Sequence, residues 1–345
     1  MSEQQPFISV VIPCRNEGKF IDRTIAAWLA QDYPSDRIEV LIVDGMSDDG
    51  TRDVVAAASR QHPRVKLLDN PGRIAPCAMN IGIRAAKGDY VVIISGHAIV
   101  EPDYATQCAR VLAEHPEAHR AGGVMETVNT TYVGKVIAAA ATSPVGVGGG
   151  SWRLAKKDGF YDDAAFGAWR RETYDRIGLY DESLVRNQDV DLIARFNQAG
   201  LKCWLSNSIR SRYYARTSWG KLARLHYFDG YWIIRNMVKL RRLTSPRRII
   251  PLVFVLTLAA LAVAGVLWSP AAWALAAVAG AYLLAVLAGA AALVPKWGLA
   301  TAAAVPAAFV IMHFAYGLGS LHGVWSWVIL GGRSAKKPQN YRLTR

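Results

Sequence analysis

Hydrophobic and polar positions come in short blocks through the first third of the chain. Residues 7–18 (FISVVIPCRNEG) and 39–51 (EVLIVDGMSDDGT) are β-branched runs that end abruptly in polar, turn-forming residues. That pattern predicts buried parallel strands delivering loops to the carboxyl edge of an open α/β sheet. Strands are expected at 8–12, 40–43, 65–68 and 90–94, and helices at 20–31, 51–61, 75–86 and 104–114. The alternation is βαβ, hence a largely parallel sheet with right-handed crossovers. Ligands of such sheets bind at the carboxyl edge. The rhythm changes after residues 122–128. Residues 144–151 (PVGVGGGS) are too glycine-rich for a helix or central strand and read as an active-site loop or a linker.

The carboxyl-terminal third is different. Tracts at 249–268 and 271–294 each hold about 20 or more apolar residues, enough for a hydrocarbon core of roughly 30 Å. A third apolar tract covers 299–330. Trp268, Trp273, Trp297, Trp325 and Trp327 lie near the tract ends, as interfacial belts do. Residues 217–240 mix aromatics and cations at helical spacing and predict one or two amphipathic helices on the membrane face. The expected organisation is a catalytic domain at 1–216, juxtamembrane helices at 217–248, a membrane region at 249–330 and a basic tail at 331–345. Residues 1–5 lead straight into a strand without a signal-peptide pattern, which predicts a catalytic part on the cytoplasmic side of the inner membrane.

The net charge of +13 raises nucleic acid as a partner, but the positions argue against it. Arg235, Lys239, Arg241, Arg242, Arg247 and Arg248 crowd before the first tract, which reads as positive-inside topology and attraction to anionic lipid. No nucleic-acid-binding signature accompanies them. Three crossings would place the basic tail outside, against the charge rule. Gly317, Gly319 and Gly323 could instead break the third tract into a re-entrant pair, which needs a protein or wet-cavity cover. Three crossings are expected. Cys14, Cys77, Cys108 and Cys203 form no CxxC pair, which fits reduced thiols in a cytoplasmic compartment.

The two opening motifs resemble those of the family 2 glycosyltransferases of GT-A fold, whose strands end in PxxNE and VDDGSxDGT. Pro13, Asn16 and Glu17 match the first; Asp44, Ser47, Asp49, Gly50 and Thr51 match the second. The resemblance implies that Asp44 binds the pyrimidine edge while Glu17 and Pro13 meet the ribose. Asp49 is left open between bracing the turn and capping the next helix. Asn70, Arg73 and Asn80 fall in a segment similar to the family's NxGxxxAxNxG, which lines the nucleotide pocket. Where most relatives have DxD for a metal ion, this chain reads Ser95-Gly96-His97. His97 then becomes a metal ligand or a structural histidine; imidazole suits Mn²⁺ better than Mg²⁺. An uncertain divalent cation is the expected cofactor.

The later blocks FGAWRRE (166–172), GLYDE (178–182) and RNQDVDL (186–192) resemble the acceptor half of the same family. They imply Asp189 as the catalytic base, with Gly167, Arg171 and Gln188 on acceptor or diphosphate. Asp191 points to another helix face and reads as structural. Together with His97 these blocks look like the ExoA-type transferases of succinoglycan assembly, where an aspartate usually stands at the position of Ser95. No QxxRW of processive synthases is present. Arg216, His226 and Trp232 occupy that region, for diphosphate and sugar or for membrane packing. The expected activity is a membrane-anchored inverting transfer of a hexose from a nucleotide diphosphate sugar, with UDP the expected nucleotide, to a lipid-linked saccharide. A polymer-extruding processive synthase and an inactive membrane scaffold or transporter are the alternatives.

Overall fold

The computed structural model describes residues 5–129, 131–147, 155, 157–214, 218–241, 243 and 245–332. In chain order the elements begin β1 (Ile8–Cys14), α1 (Ile21–Leu29), β2 (Ile38–Asp44), α2 (Thr51–Gln61), β3 (Val65–Asp69), α3 (Ala75–Ala85) and β4 (Tyr90–Ile93). There follow β5 (Ala98–Val100), α4 (Tyr104–Glu114), β6 (Arg120–Val128), α5 (Tyr132–Ala140) and α6 (Pro144–Val147). Next come β7 (Gly159–Tyr161), β8 (Ala165–Arg170), α7 (Glu172–Ile177), α8 (Gln188–Gln198) and β9 (Cys203–Tyr214). The last part is helical: α9 (Trp219–Leu240), α10 (Ile250–Gly265), α11 (Ser269–Ala291), α12 (Val294–Trp297) and α13 (Leu299–Gly323).

The chain divides into two units. The first holds residues up to 127 and 155–214; the second holds 128–154 and 215–336.

In the first unit the sheet order is β3-β2-β1-β4-β8-β6-β9-β5, with β7 paired to β9. The strands from β3 to β4 are parallel, whereas β8 lies antiparallel to both β4 and β6. The sheet is mixed, so only the half read from the βαβ rhythm is parallel. Every residue of β2 is buried, and β1 is nearly so, because helices cover both faces. Ile8, Val10, Ile12, Val40, Ile42 and Val92 form the core with Trp28 and Tyr104, whose rings meet edge to face at 5.7 Å. The registers bring the ends of β1, β2 and β3 level, at Cys14, Asp44 and Asp69.

In the second unit α11 and the stretch Leu299–Ile329 are long and apolar enough to cross a bilayer. At 16 residues α10 spans roughly 24 Å, short of a full core, so the expected first span is the least complete. It runs antiparallel to α11: Phe254 lies 4.6 Å from Tyr282, and Gly265 meets the Ala272 backbone. The glycines of the third tract do not break it, since α13 is continuous through them. A Cβ at Gly319 would lie 1.8 Å from the Tyr227 carbonyl, and one at Gly230 would lie 2.1 Å from the Tyr316 carbonyl. These glycines let α9 and α13 approach backbone to backbone, as small residues do between membrane helices.

Of the run 144–151 read as a loop, residues 144–147 form the short helix α6, which follows α5. Val136, Ala139 and Ala140 of α5 pack with Val286, Ala290, Val305, Phe309 and Met312. The His313 ring lies 2.8 Å from the Val145 carbonyl through Nε2 and 3.0 Å from the Tyr282 hydroxyl through Nδ1. Both ring nitrogens of a neutral imidazole are thereby used, and a carbonyl of the short α6 is satisfied. Residues 148–151 of the glycine-rich run lie outside the described residues.

Candidate active site

The carboxyl ends of β1 and β2 are laced together by their own side chains. Asn16, at φ +56°, donates its backbone N–H to Ser47 Oγ (2.8 Å) and its amide to Asp48 Oδ1 (2.9 Å). The Asp48 N–H returns a bond to Asn16 Oδ1 at 3.1 Å. The Glu17 N–H reaches Thr51 Oγ1 (2.8 Å), and the Gly18 N–H reaches Asp49 Oδ2 (3.0 Å). Asp49 thus braces the turn and also accepts from the Thr51 N–H at 3.1 Å, while the N-cap position of α2 is Gly50. Burial alone would raise its carboxyl pKa, but bonds from the Thr51 hydroxyl and the amides of Gly18 and Thr51 bring it below the usual value.

Asp44, implied at the pyrimidine edge, is fully buried and accepts from the Ser47 N–H (2.9 Å), from the Ser47 hydroxyl and from Arg52 Nη1 (2.9 Å). Arg52 extends the link to Asp69 at 2.7 Å, tying the ends of β2 and β3. Nothing in the opening motifs singles out Arg52. Asn70 is buried, donates to the Ile74 carbonyl at 3.0 Å, and leaves Oδ1 without a partner among the described residues. Arg73 is exposed at φ +60°. Asn80, expected in the nucleotide pocket, is spent on the chain itself. Its amide donates to the Tyr180 carbonyl and Glu182 (both 2.8 Å) and its oxygen accepts the Tyr180 N–H at 2.9 Å.

The turn after β4 carries the densest chemistry. Ile94 is buried, and a Cβ on Gly96 would lie 3.1 Å from Cys14 and 3.2 Å from Glu17, so glycine lets this turn nest against the β1 loop. His97 Nδ1 lies 2.8 Å from Glu17 Oε1. Ser95 Oγ sits beside the same ring, 2.9 Å from Nδ1 and 3.2 Å from Nε2, and the Tyr213 ring lies at 4.8 Å. Pro13 is half-buried in the last turn of β1.

Among the described residues no three His, Cys, Asp or Glu side chains gather to hold a metal unaided. His97, with the Ser95 hydroxyl beside it, still fits a cation that takes its remaining ligands from substrate phosphates, which is how small hard cations commonly bind.

The acceptor-half residues are divided by the sheet. Gly167, at φ +93°, donates to the Tyr104 hydroxyl at 2.9 Å, and a Cβ there would strike the Ala121 carbonyl at 2.0 Å. Val92 pairs with Ala168, so Gly167 lies toward the carboxyl end of β4. Arg171 lies at the other end. Its N–H donates to the Asp89 carbonyl, before β4 begins, which puts it about five strand residues, or roughly 16 Å, from the Ser95 turn. The antiparallel run of β8 removes it from the expected site.

Asn187 (φ +57°) opens α8, Gln188 is its first residue, and Asp189 is exposed in its first turn, accepting from the Val190 N–H at 2.8 Å. Asp191 is structural as expected: fully buried, it holds Arg195 at 2.9 Å, and Arg195 in turn binds the Ile177 and Leu179 carbonyls. Trp232 is only 1% exposed, beside Trp327 (5.6 Å) and Arg235 (5.2 Å) within the helical unit, which favours packing over sugar stacking. His226 is half-buried on α9, and Arg216 lies outside the described residues. A separate cleft of about 770 Å³ is lined by Asp32, Glu101, Asp103, Glu126, Arg210 and Arg212, none of them an expected site residue.

Comparison with known proteins bears on the family and the fold. A protein of Rhizobium meliloti described as succinoglycan biosynthesis protein ExoA is 32% identical over 248 residues, covering 70% of this chain and 74% of its own length. A dolichyl N-acetyl-α-D-glucosaminyl phosphate 3-β-D-2,3-diacetamido-2,3-dideoxy-β-D-glucuronosyltransferase of Methanococcus voltae is 28% identical, covering 66% and 77%. A mannosyltransferase of Pyrobaculum calidifontis, solved with GDP-mannose and Mn²⁺, shares the fold at a TM-score of 0.56 and 20% identity, over 94% of this chain and 88% of that one. The profile described as glycosyl transferase family 2 matches residues 9–148, which hold the laced loops and the β4 turn. With the β1 and β2 loops, the mixed sheet and the extent of the Rhizobium match all in agreement, the chain belongs to glycosyl transferase family 2.

Proposed function

We propose that this family 2 glycosyltransferase is a membrane-anchored inverting enzyme that moves a hexose from a nucleotide diphosphate sugar, UDP-linked by preference, to a lipid-linked saccharide at the cytoplasmic face of the inner membrane. The convergence of the β1 and β2 loops with the Ser95–His97 turn carries the reading. It builds one preorganised pocket wall where a diphosphate and ribose can be held. The Methanococcus relative, named as a transferase acting on a dolichyl phosphate sugar, and the Rhizobium relative, named for succinoglycan biosynthesis, support a lipid-linked acceptor in glycan assembly. So does a helical unit with two helices able to cross a bilayer.

In this reading Pro13, Asn16, Asn70, Arg73 and Ser95 bind the donor, while Asp44 acts through Ser47 and Arg52 by holding the loop. The Asp189 carboxylate takes the proton of the acceptor hydroxyl as its oxygen attacks the anomeric carbon. The bond from that carbon to the diphosphate oxygen breaks on the opposite face, so one displacement inverts the centre. Gly167 and Gln188 border the acceptor. A divalent cation held by His97 would supply charge neutralisation on the leaving diphosphate. The test is transfer by the purified full-length protein from UDP-, GDP- and dTDP-sugars, with the product anomer read by NMR. The reading predicts activity with a UDP-sugar and inverted product. A retained anomeric configuration would contradict the single displacement.

A further inference from the structure

We infer that Glu17 is a positioning residue for His97: its buried carboxylate fixes which imidazole nitrogen faces the diphosphate-bound cation. The inference rests on the reading of His97 as the cation ligand. The sequence resemblance gave Glu17 to the ribose, but the side chain is spent otherwise. Glu17 is 4% exposed and its Oε1 lies 2.8 Å from His97 Nδ1, whereas the His97 side chain is 18% exposed.

An ionised carboxylate can only accept, so Nδ1 carries the proton and donates to Oε1. The ligating lone pair of the neutral ring then belongs to Nε2. Histidines that bind metals commonly donate their other ring N–H to a carboxylate in this way, which sets the tautomer and raises ligand basicity. Two further side chains border the ring: the Tyr213 ring packs at 4.8 Å, and Ser95 Oγ lies 2.9 Å from Nδ1 and 3.2 Å from Nε2.

The pair also explains how this chain manages without carboxylates at positions 95 and 97. The negative charge comes from the β1 loop instead. Its backbone is pinned by the Glu17 N–H to Thr51 Oγ1, and the Glu17 carbonyl accepts from Phe20 and Ile21 at the start of α1. A side chain so held cannot swing out to a ribose without giving up His97.

The experiment titrates Mn²⁺ into full-length protein in detergent with UDP present and reads free Mn²⁺ by its EPR signal. Calorimetry of UDP binding in chelator serves as the check on the fold. Glu17→Gln, which keeps an oxygen but loses the charge, should weaken Mn²⁺ about tenfold. Glu17→Ala should weaken it by about 10–100-fold, the usual cost of losing an orienting partner. UDP binding in chelator should stay at the wild-type value in both. If Glu17→Ala fails the fold check, Glu17→Gln alone decides. Wild-type Mn²⁺ affinity in a folded variant, with His97→Ala still losing the metal, overturns the positioning role. Wild-type affinity in His97→Ala overturns something different, the placement of the cation on His97.

Discussion

Asp44 is buried between Ser47 and Arg52, so its removal acts on the loop before it acts on a donor. Asp44→Ala should cost about 1.5–3 kcal/mol for each lost bond to its charged carboxylate. A lower Tm should therefore accompany weaker UDP binding. Lost UDP affinity at an unchanged Tm would instead return Asp44 to the base edge that the sequence motif implies. Arg171 gives the opposite case. It stands at the amino end of β4, so Arg171→Ala should leave transfer within about twofold of wild type, as exposed substitutions away from a site do. A hundredfold loss would mean that the site extends to the far edge. His97 makes a third residue-scale prediction. Chelator should lower turnover, and Mn²⁺ should restore it more readily than Mg²⁺. Full turnover in chelator would shift diphosphate neutralisation onto arginine and lysine side chains.

Among the elements, the parallel half of the sheet was legible because each strand is a β-branched run ended by its own loop. Strands β1 to β4 and helices α1 to α4 fall within a few residues of the pattern, whereas the short β5 was not anticipated. What the pattern could not give depends on partners distant in sequence. The direction of β8 against β4, which displaces Arg171, is one case; the use of Asn80 on the Tyr180 loop a hundred residues away is another. Glycine misled once, at 144–147, whereas the continuity of α13 fits the crossing expected there. Within α13 it serves close packing on α9, and at 144–147 it sits in a short helix that His313 ties to the apolar core. Gly319→Leu tests this: with Tyr227 O only 1.8 Å from a built Cβ, the helices must separate, and stability in detergent should fall by at least about 1–3 kcal/mol. An unchanged Tm would mean that α9 and α13 do not pack as described.

At the scale of the whole molecule, one chain carries a family 2 glycosyltransferase unit and a helical unit in which two helices are long and apolar enough to cross a bilayer. The expected three crossings further require the short α10 to span, which local bilayer thinning can accommodate. A cysteine placed at Gln339 should then react with an impermeant thiol reagent on intact cells. Protection would leave the tail inside, as the charge rule prefers.

The central claim is inverting transfer driven by Asp189, and one measurement reaches it most directly. Radiolabelled sugar is followed from a UDP-sugar to extracted lipid-linked saccharide, with wild type beside Asp189→Asn. The account predicts turnover reduced by about a hundredfold or more in the variant, the ordinary contribution of a general base, with donor binding unchanged. Near-normal turnover in Asp189→Asn would contradict it.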